Sequence, residues 1–197
     1  MYALSLDVSM TATGWAIVKL SENSNAFSLA RCGVITTEKM SSGEKVSNTV
    51  DSLRRAALIQ NELRDALEDF QEREAANIDL VIVEAMSWPR NAAAAIKMAM
   101  AWGAISTVIM NLQRPLIEVG PQEIKKVTAG GRSATKKEVE EGVKKVITLQ
   151  SAQLLEQLVP KRALREHCWD ALGAVLAAQR TEKWLLLQSG FRARASQ

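Results

Sequence analysis

Apolar residues occur along this chain both in short continuous runs and at helical spacing. The short runs, bounded by turn-forming residues, predict strands at about 2–6, 14–20, 27–35, 78–83 and 116–119. The helical spacing predicts helices over about 46–74, 91–112, 121–127, 134–149 and 163–187. Short polar turns join the first three strands, which favours an antiparallel meander. The order of elements predicts a mixed sheet with helices on its faces.

Composition limits the class of protein. The chain has 197 residues, 47% of them hydrophobic, which is enough to bury one core. We therefore expect a single domain over residues 1–190 and a flexible tail over 191–197. The formal charge is only +3, so attraction to a polyanion must come from local clusters of charge. We find no secretory signal and expect no apolar run long enough to span a membrane.

The two cysteines, Cys32 and Cys168, lack the spacing of a metal site or a disulfide framework. This favours a reducing, cytoplasmic location, which would be the host cytoplasm if a phage encodes the chain.

Acidic residues stand at the ends of two predicted strands. Asp7 directly follows the first strand and Glu84 follows the fourth. A third acid, Asp170, lies in an apolar helical stretch, three residues after His167, the only histidine. Residues three apart share a helix face, and strand ends are where α/β sheets collect their sites. Buried carboxylates are costly without a partner, so these groups could converge on a hard divalent cation.

Each residue also has a simpler interpretation. Asp7 could close a turn with Ser9 and Thr11. Glu84 could be an ordinary strand-end carboxylate near Arg90, and His167 could be a surface or core histidine.

Four motifs in order are similar to those of RuvC-type Holliday junction resolvases, within the RNase H-like nucleases. In the first, an Asp is followed six and seven residues later by Thr-Gly and then by an aromatic residue. The others are an acidic strand end with its following helix, a basic block and a last helix. The four stretches are Leu6–Trp15, Val81–Glu84 with 91–104, Glu123–Lys137 and His167–Gly173. The resemblance covers residues 4 to about 180 and includes phage or phage-like members.

The resemblance implies an α/β fold with an RNase H-like mixed five-stranded sheet, in which three antiparallel strands precede two parallel ones and helices cover both faces. It implies a homodimer that resolves four-way (Holliday) DNA junctions by paired, metal-dependent phosphodiester hydrolysis. Asp7, Glu84 and Asp170 would be metal ligands and two Mg²⁺ ions the cofactor, with no organic cofactor and no membrane partner. His167 stands where the family usually has Asp, and an imidazole accepts Mn²⁺ more readily than Mg²⁺.

A basic block is the first candidate DNA-binding surface. Five basic residues and no acid lie between positions 125 and 137, around a glycine turn that would let backbone amides approach phosphates. They are Lys125, Lys126, Arg132, Lys136 and Lys137. By resemblance, Lys125 and Lys136 match phosphate-contacting and catalysis-assisting lysines, and we assign Lys125 to the catalytic set. The alternative is a solvated loop.

Trp88 and Arg90, in the loop after Glu84, are further candidates for DNA contact. An exposed aromatic ring beside an acidic site would suit base stacking, although Trp88 could instead pack on the sheet. In the next helix, Ala92–Ala95 with Met98, Met100 and Trp102 would allow close approach of two helices. By resemblance this helix forms the dimer interface; the alternative is a monomer's core helix.

Other functional classes remain open at this point. An RNase H-like nuclease for RNA–DNA hybrids or other branched DNA would carry the same metal ligands. A non-catalytic DNA-binding relative would have lost acids that are present here. An actin-like nucleotide-binding domain would need a second glycine-rich phosphate loop, which the sequence lacks.

Overall fold

The computed structural model describes residues 1–21, 25–40, 46–86 and 91–195. Its strands are β1 (Tyr2–Asp7), β2 (Ala12–Leu20), β3 (Phe27–Thr36), β4 (Leu80–Glu84) and β5 (Leu116–Val119). Its α-helices are α1 (Asn48–Glu74), α2 (Ala92–Leu112), α3 (Pro121–Ala129), α4 (Lys136–Lys144), α5 (Leu149–Leu158), α6 (Arg165–Ala178) and α7 (Glu182–Ala195). A 3₁₀ turn, Arg162–Leu164, leads into α6.

The five strands form one mixed sheet in the order β3-β2-β1-β4-β5. The first three strands pair antiparallel, whereas β4 runs parallel to both β1 and β5. This topology confirms the predicted fold class.

The helices divide into two layers, one on each face of the sheet. Alternate residues of β1 point to opposite faces: Ala3 belongs to one apolar cluster, and Leu4 and Leu6 belong to the other. The first cluster includes buried residues of α3, α4, α5 and α6, and the second includes those of α1 and α2. Helices therefore cover both faces, as predicted.

The helices after β5 differ from the prediction because two threonines start new helices. The predicted helix over 134–149 ends at Lys144, and Thr148 caps a separate α5 by accepting a hydrogen bond from the backbone N–H of Ser151 (3.1 Å). The predicted helix over 163–187 is broken between α6 and α7. There Thr181 accepts from the backbone N–H of Trp184 (3.2 Å). Helix α7 then continues to Ala195, into the segment predicted to be a tail.

Helix α6 lies directly against the centre of the sheet. The buried Ser5 hydroxyl donates a hydrogen bond to the Ala171 carbonyl (2.6 Å), and Trp169 is almost completely buried. Both cysteines are buried and free, and the Cys168 thiol donates to the Gly33 carbonyl (3.4 Å). These contacts fix the position of α6 relative to β1.

The close approach of α6 to β2 depends on a glycine. A Cβ atom at Gly14 would lie 2.4 Å from the backbone oxygen of His167 and 2.6 Å from its Cβ. Only a residue without a side chain allows this contact.

Helix α2 contradicts the expectation that no apolar stretch of the chain is long enough to span a membrane. By length and composition alone it is apolar enough to cross a membrane, with a mean hydropathy of 1.5, and only 22% of that stretch is buried. The prediction that no apolar stretch reaches this length is therefore wrong. One face of the helix is buried through Ala101, Ala104, Ile105 and Val108, so α2 is part of the fold, and its remaining apolar surface is open.

We predict that Gly14→Ala destabilises the protein by about 1–3 kcal/mol or more, because the added methyl group forces α6 away from β2. Thermal or urea unfolding measures the effect. The control is Gly190→Ala in α7, where a Cβ atom meets nothing within 4 Å. It should be neutral or stabilising by up to about 1 kcal/mol. Equal stability of the two variants would show that α6 does not need this close contact.

Candidate active site

The pairing of β1 with β4 brings two acids together. Leu6 pairs with Val83 in the parallel register, so Asp7 and Glu84 occupy the next position on adjacent strands. Since side chains alternate along a strand, Asp7 points to the same face as Ala3 and Ser5. This is the face that α6 covers, and the two carboxyl groups therefore meet between the sheet and α6.

The turn after Asp7 is closed by other side chains. The Thr13 hydroxyl donates to the Ser9 carbonyl (2.7 Å), and Ser9 Oγ accepts from the backbone N–H of Ala12 (3.1 Å). In the described part of the chain, the hydrogen-bond partner of the Asp7 side chain is His167. Ser9 and Thr13 close this turn, whereas the Asp7 side chain contacts His167.

Helix α6 brings His167 and Asp170 to the same place. His167 Nδ1 lies 2.9 Å from Asp7 Oδ2. Because a carboxylate only accepts hydrogen bonds, Nδ1 is the donor in this contact, and in the neutral imidazole the lone pair is then on Nε2. Asp7, Glu84, His167 and Asp170 line one cavity, so the structure brings together all four predicted ligands.

Burial and, to a smaller extent, repulsion between the acids determine the electrostatics of the cavity. Burial raises the pKa of Glu84 to about 7, and the charges of Asp7 and Asp170 add to this effect. Burial raises the pKa of Asp170 to about 6, again with a contribution from Asp7. Lys136 opposes both shifts, and Lys125 also lowers the pKa of Glu84. The site therefore holds more negative charge than its own lysines neutralise.

This donor set fits a divalent cation. Carboxylate oxygens with one imidazole suit Mg²⁺ or Mn²⁺, and a cation would remove the repulsion that raises both pKa values. Among the described residues, however, no three acidic, cysteine or histidine side chains already stand close enough to hold one ion. Asp7 Oδ2 contacts the imidazole instead. Binding would therefore require rotation of these side chains.

Two lysines of the predicted basic block reach the site. Lys136 lines the cavity, and its Nζ lies 3.7 Å from Asp170 Oδ2. Lys125, on α3, is close enough to Glu84 to stabilise its charged form. These are the two lysines that the resemblance singled out.

The rest of the basic block lies elsewhere. Lys126 lines a different cavity with Arg180 and Thr181. Lys137 is exposed, 3.9 Å from Glu141 of the same helix, and Arg132 is exposed beside the glycine turn. A DNA-binding role for these three residues stays a prediction. Trp88 and Arg90 lie outside the described residues.

Three side chains at the site were not predicted there. Met98 and Trp102, assigned from the sequence to a dimer interface, line the cavity with Asp7 and Glu84. Glu166 lies beside the cavity, with Oε1 2.9 Å from Lys136 Nζ. Helical spacing could have placed Met98 and Trp102 on one face, but which face meets the sheet depends on packing. The sequence did not indicate a role for Glu166, because an acidic residue in the first turn of a helix is common.

A mixed sheet of three antiparallel strands followed by two parallel ones, with helices on both faces, is the RNase H-like fold. The fold is also that of a solved structure, Thermus thermophilus RuvC in complex with Holliday junction substrate. The likeness has a TM-score of 0.66, with 24% identity, and covers 90% of this chain and 92% of the other.

The family follows from the sequence match. Residues 3–157 match the model of the family Crossover junction endodeoxyribonuclease RuvC, so the chain belongs to this family. The RuvC of Chlorobium phaeobacteroides is 28% identical over 139 residues, which are 71% of this chain and 65% of the relative. The RuvC of Chlorobium chlorochromatii is 26% identical over 176 residues, which are 89% and 78% of the two chains. The predicted family and enzyme class are confirmed.

The raised pKa values predict a pH-dependent stability in the absence of metal. Glu84 and Asp170 keep their protons to higher pH in the folded chain than in the unfolded chain, so the folded chain binds more protons between about pH 4 and pH 7. The free energy of unfolding should fall as the pH rises through this window, by an amount on the order of 1–3 kcal/mol. Urea unfolding in chelator at several pH values measures it.

Glu84→Gln should flatten this dependence, because an amide does not ionise. Asp65→Asn, at an exposed position on α1, should leave it unchanged. A wild-type stability that rises over the same range would contradict the proposed crowding of acids.

Proposed function

We propose that this protein is a metal-dependent endonuclease that resolves four-way DNA junctions, with Asp7, Glu84, His167 and Asp170 as metal ligands. The observation that carries the proposal is the meeting of these four residues in one cavity, where burial and like charges oppose ionisation of Glu84 and Asp170. Membership of the RuvC family supports the choice of substrate.

The divalent cofactor is proposed to be two ions of Mg²⁺, with Mn²⁺ also effective because of His167. When bound, such ions activate water and stabilise the charge of the phosphate and of the leaving oxygen. Asp7, at the end of the central strand, would serve both ions. Glu84 would hold one of them, and Asp170 with His167 would complete the set.

The Asp7–His167 hydrogen bond orients the imidazole. With Nδ1 donating to the carboxylate, Nε2 is the nitrogen left for a metal. A carboxylate that orients a ligating histidine in this way raises its basicity. Asp7 would therefore act on the ions directly through its free oxygen and also through His167.

The two lysines at the cavity would bind the DNA backbone. Lys136 and Lys125 lie on the first turn of α4 and on α3, beside the acids. Ammonium groups there offset the repulsion between a polyanionic backbone and the acidic site. Lys126, Arg132 and Lys137 would extend this surface outward, and the loop with Trp88 and Arg90 would contact the junction. We propose a cytoplasmic location for this activity, in the host cytoplasm if a phage encodes the protein.

We further propose a homodimer that forms through α2. Ile96 is 61% exposed and Met110 is 74% exposed, on a helix whose opposite face is buried in the fold. A second copy of α2 would cover these side chains, and the small residues Ala92–Ala95 would allow close approach. A membrane is a poor alternative, since Met98 and Trp102 of the same helix line the acidic cavity. A symmetric dimer supplies the two sites that paired cuts require.

The first test removes the ligand at the centre of the site. Asp7→Asn should reduce cleavage of a synthetic four-way junction, in Mg²⁺ or Mn²⁺, to less than a few per cent of the wild-type rate. Junction binding should stay near the wild-type level, because the amide removes the charge but keeps the size of the side chain. Gel assays of nicking and of binding measure the two effects.

The control is Asp65→Asn, which should cut and bind like the wild type. Plain duplex and an RNA–DNA hybrid serve as comparison substrates. Preferential cleavage of the hybrid would favour the alternative RNase H-like nuclease. Substantial cleavage by Asp7→Asn would exclude Asp7 as a ligand.

The second test concerns assembly. Ile96→Glu places a charge on the open face of α2, where the monomer fold is not disturbed, and should convert dimers to monomers. Paired cleavage of the junction should be lost although all four ligands remain. Light scattering measures the mass. The control is Leu149→Glu, at a position that is 75% exposed on α5, which should remain dimeric. A wild-type protein that is monomeric both alone and on junction DNA would exclude the dimer.

A further inference from the structure

One carboxylate oxygen of Glu166 lies near both Lys136 and His167 of the candidate active site. This oxygen, Oε1, lies 2.9 Å from Lys136 Nζ and 3.8 Å from His167 Nε2. The side chain is 43% exposed, so it stands at the rim of the cavity, outside the buried acids. Glu166 is not one of the four proposed ligands.

Lys136 has two acidic neighbours, and they lie on the same helix. Glu166 is the nearer, at 2.9 Å, and Asp170 lies at 3.7 Å. Residues four apart share a face of α6, so the ammonium group can shift between the two carboxylates with a small rotation of its side chain.

The place of Lys136 in α4 favours an acidic partner. It is the first residue of the helix, directly after the cap formed by Thr135 and Glu138. The N-terminus of a helix carries a partial positive charge, so an ammonium group at this position is unfavourable. A carboxylate from another element offsets this effect.

The identity of that partner matters for metal binding. If the ammonium group pairs with Asp170, it neutralises a carboxylate that the metal needs, and it places a positive charge where the cation must bind. If it pairs with Glu166, Asp170 stays available and Lys136 remains beside the site, facing the DNA.

We propose that Glu166 is a positioning residue: it holds Lys136 at the rim of the cavity and prevents the ammonium group from moving closer to Asp170 than the present 3.7 Å, so that Asp170 remains available to the metal. This inference rests on the proposed function of the same site. Removal of the Glu166 carboxylate leaves Asp170 as the nearest acid to Lys136. The lysine then competes with the cation.

A double-mutant cycle on metal binding tests this competition without DNA. Binding of Mn²⁺ alone is followed by the loss of the electron paramagnetic resonance signal of the free ion. The proteins are wild type, Glu166→Gln, Lys136→Met and the double variant. Glu166→Gln should weaken Mn²⁺ binding about threefold to tenfold. Lys136→Met should change it little in the wild-type background but restore it to near the wild-type level in the Glu166→Gln background.

Glu140→Gln is the matched control. It breaks an ion pair of similar length on the same helix, between Glu140 and Lys144 (2.7 Å), away from the cavity. Its Mn²⁺ affinity should equal that of the wild type. Junction cleavage gives a second measurement for the proteins that retain Lys136. Glu166→Gln should need a higher Mn²⁺ concentration for half-maximal cleavage than the wild type and Glu140→Gln, which should need the same concentration.

The outcomes separate the two proposals. If Lys136→Met raises the Mn²⁺ affinity by the same factor in both backgrounds, Glu166 acts only through its charge, and the positioning role is wrong while the metal site stands. If the folded wild-type protein does not bind Mn²⁺, the metal site is wrong and the positioning role falls with it. A gain from Lys136→Met that is confined to the Glu166→Gln background supports the positioning role.

Discussion

The contact between α6 and the central strands is the interaction on which the site depends. The buried hydrogen bond between Ser5 and Ala171 fixes the position of α6 along β1. Gly14 has no side chain, which lets the backbone of His167 approach β2. Without this contact the acids of the strands and those of the helix would not share one cavity. Neither Ser5 nor Gly14 is one of the proposed metal ligands. Both act by setting the distance between α6 and the sheet.

The same contact creates the electrostatic problem of the site. It excludes water from Glu84 and Asp170 and places both near Asp7, so burial and repulsion raise their pKa values together. The crowding of ionisable acids lowers the stability of the fold, and a cation bound at the proposed site would regain this free energy as affinity. Many functional sites gain binding strength from a fold that is not optimally stable.

The sequence predicted much of this arrangement because the strongest signals were local. Asp7 and Glu84 follow apolar runs that could only be strands, and a parallel β1–β4 pair then places them side by side. The three-residue spacing of His167 and Asp170 needed only helical geometry. Two kinds of feature were missed: local helix caps and a contact between distant segments. Thr148 and Thr181 divide helices that the apolar pattern made continuous, and the reach of Glu166 to Lys136 depends on how α4 crosses α6.

The long sequence separation within the site has a consequence for synthesis of the protein. Asp7 leaves the ribosome at least 160 residues before its partners on α6. Chains that end before α6 can fold neither the site nor the covered face of the sheet, since α6 supplies much of the buried layer on that side. A chain that ends before α6 therefore lacks His167 and Asp170, two of the four proposed metal ligands.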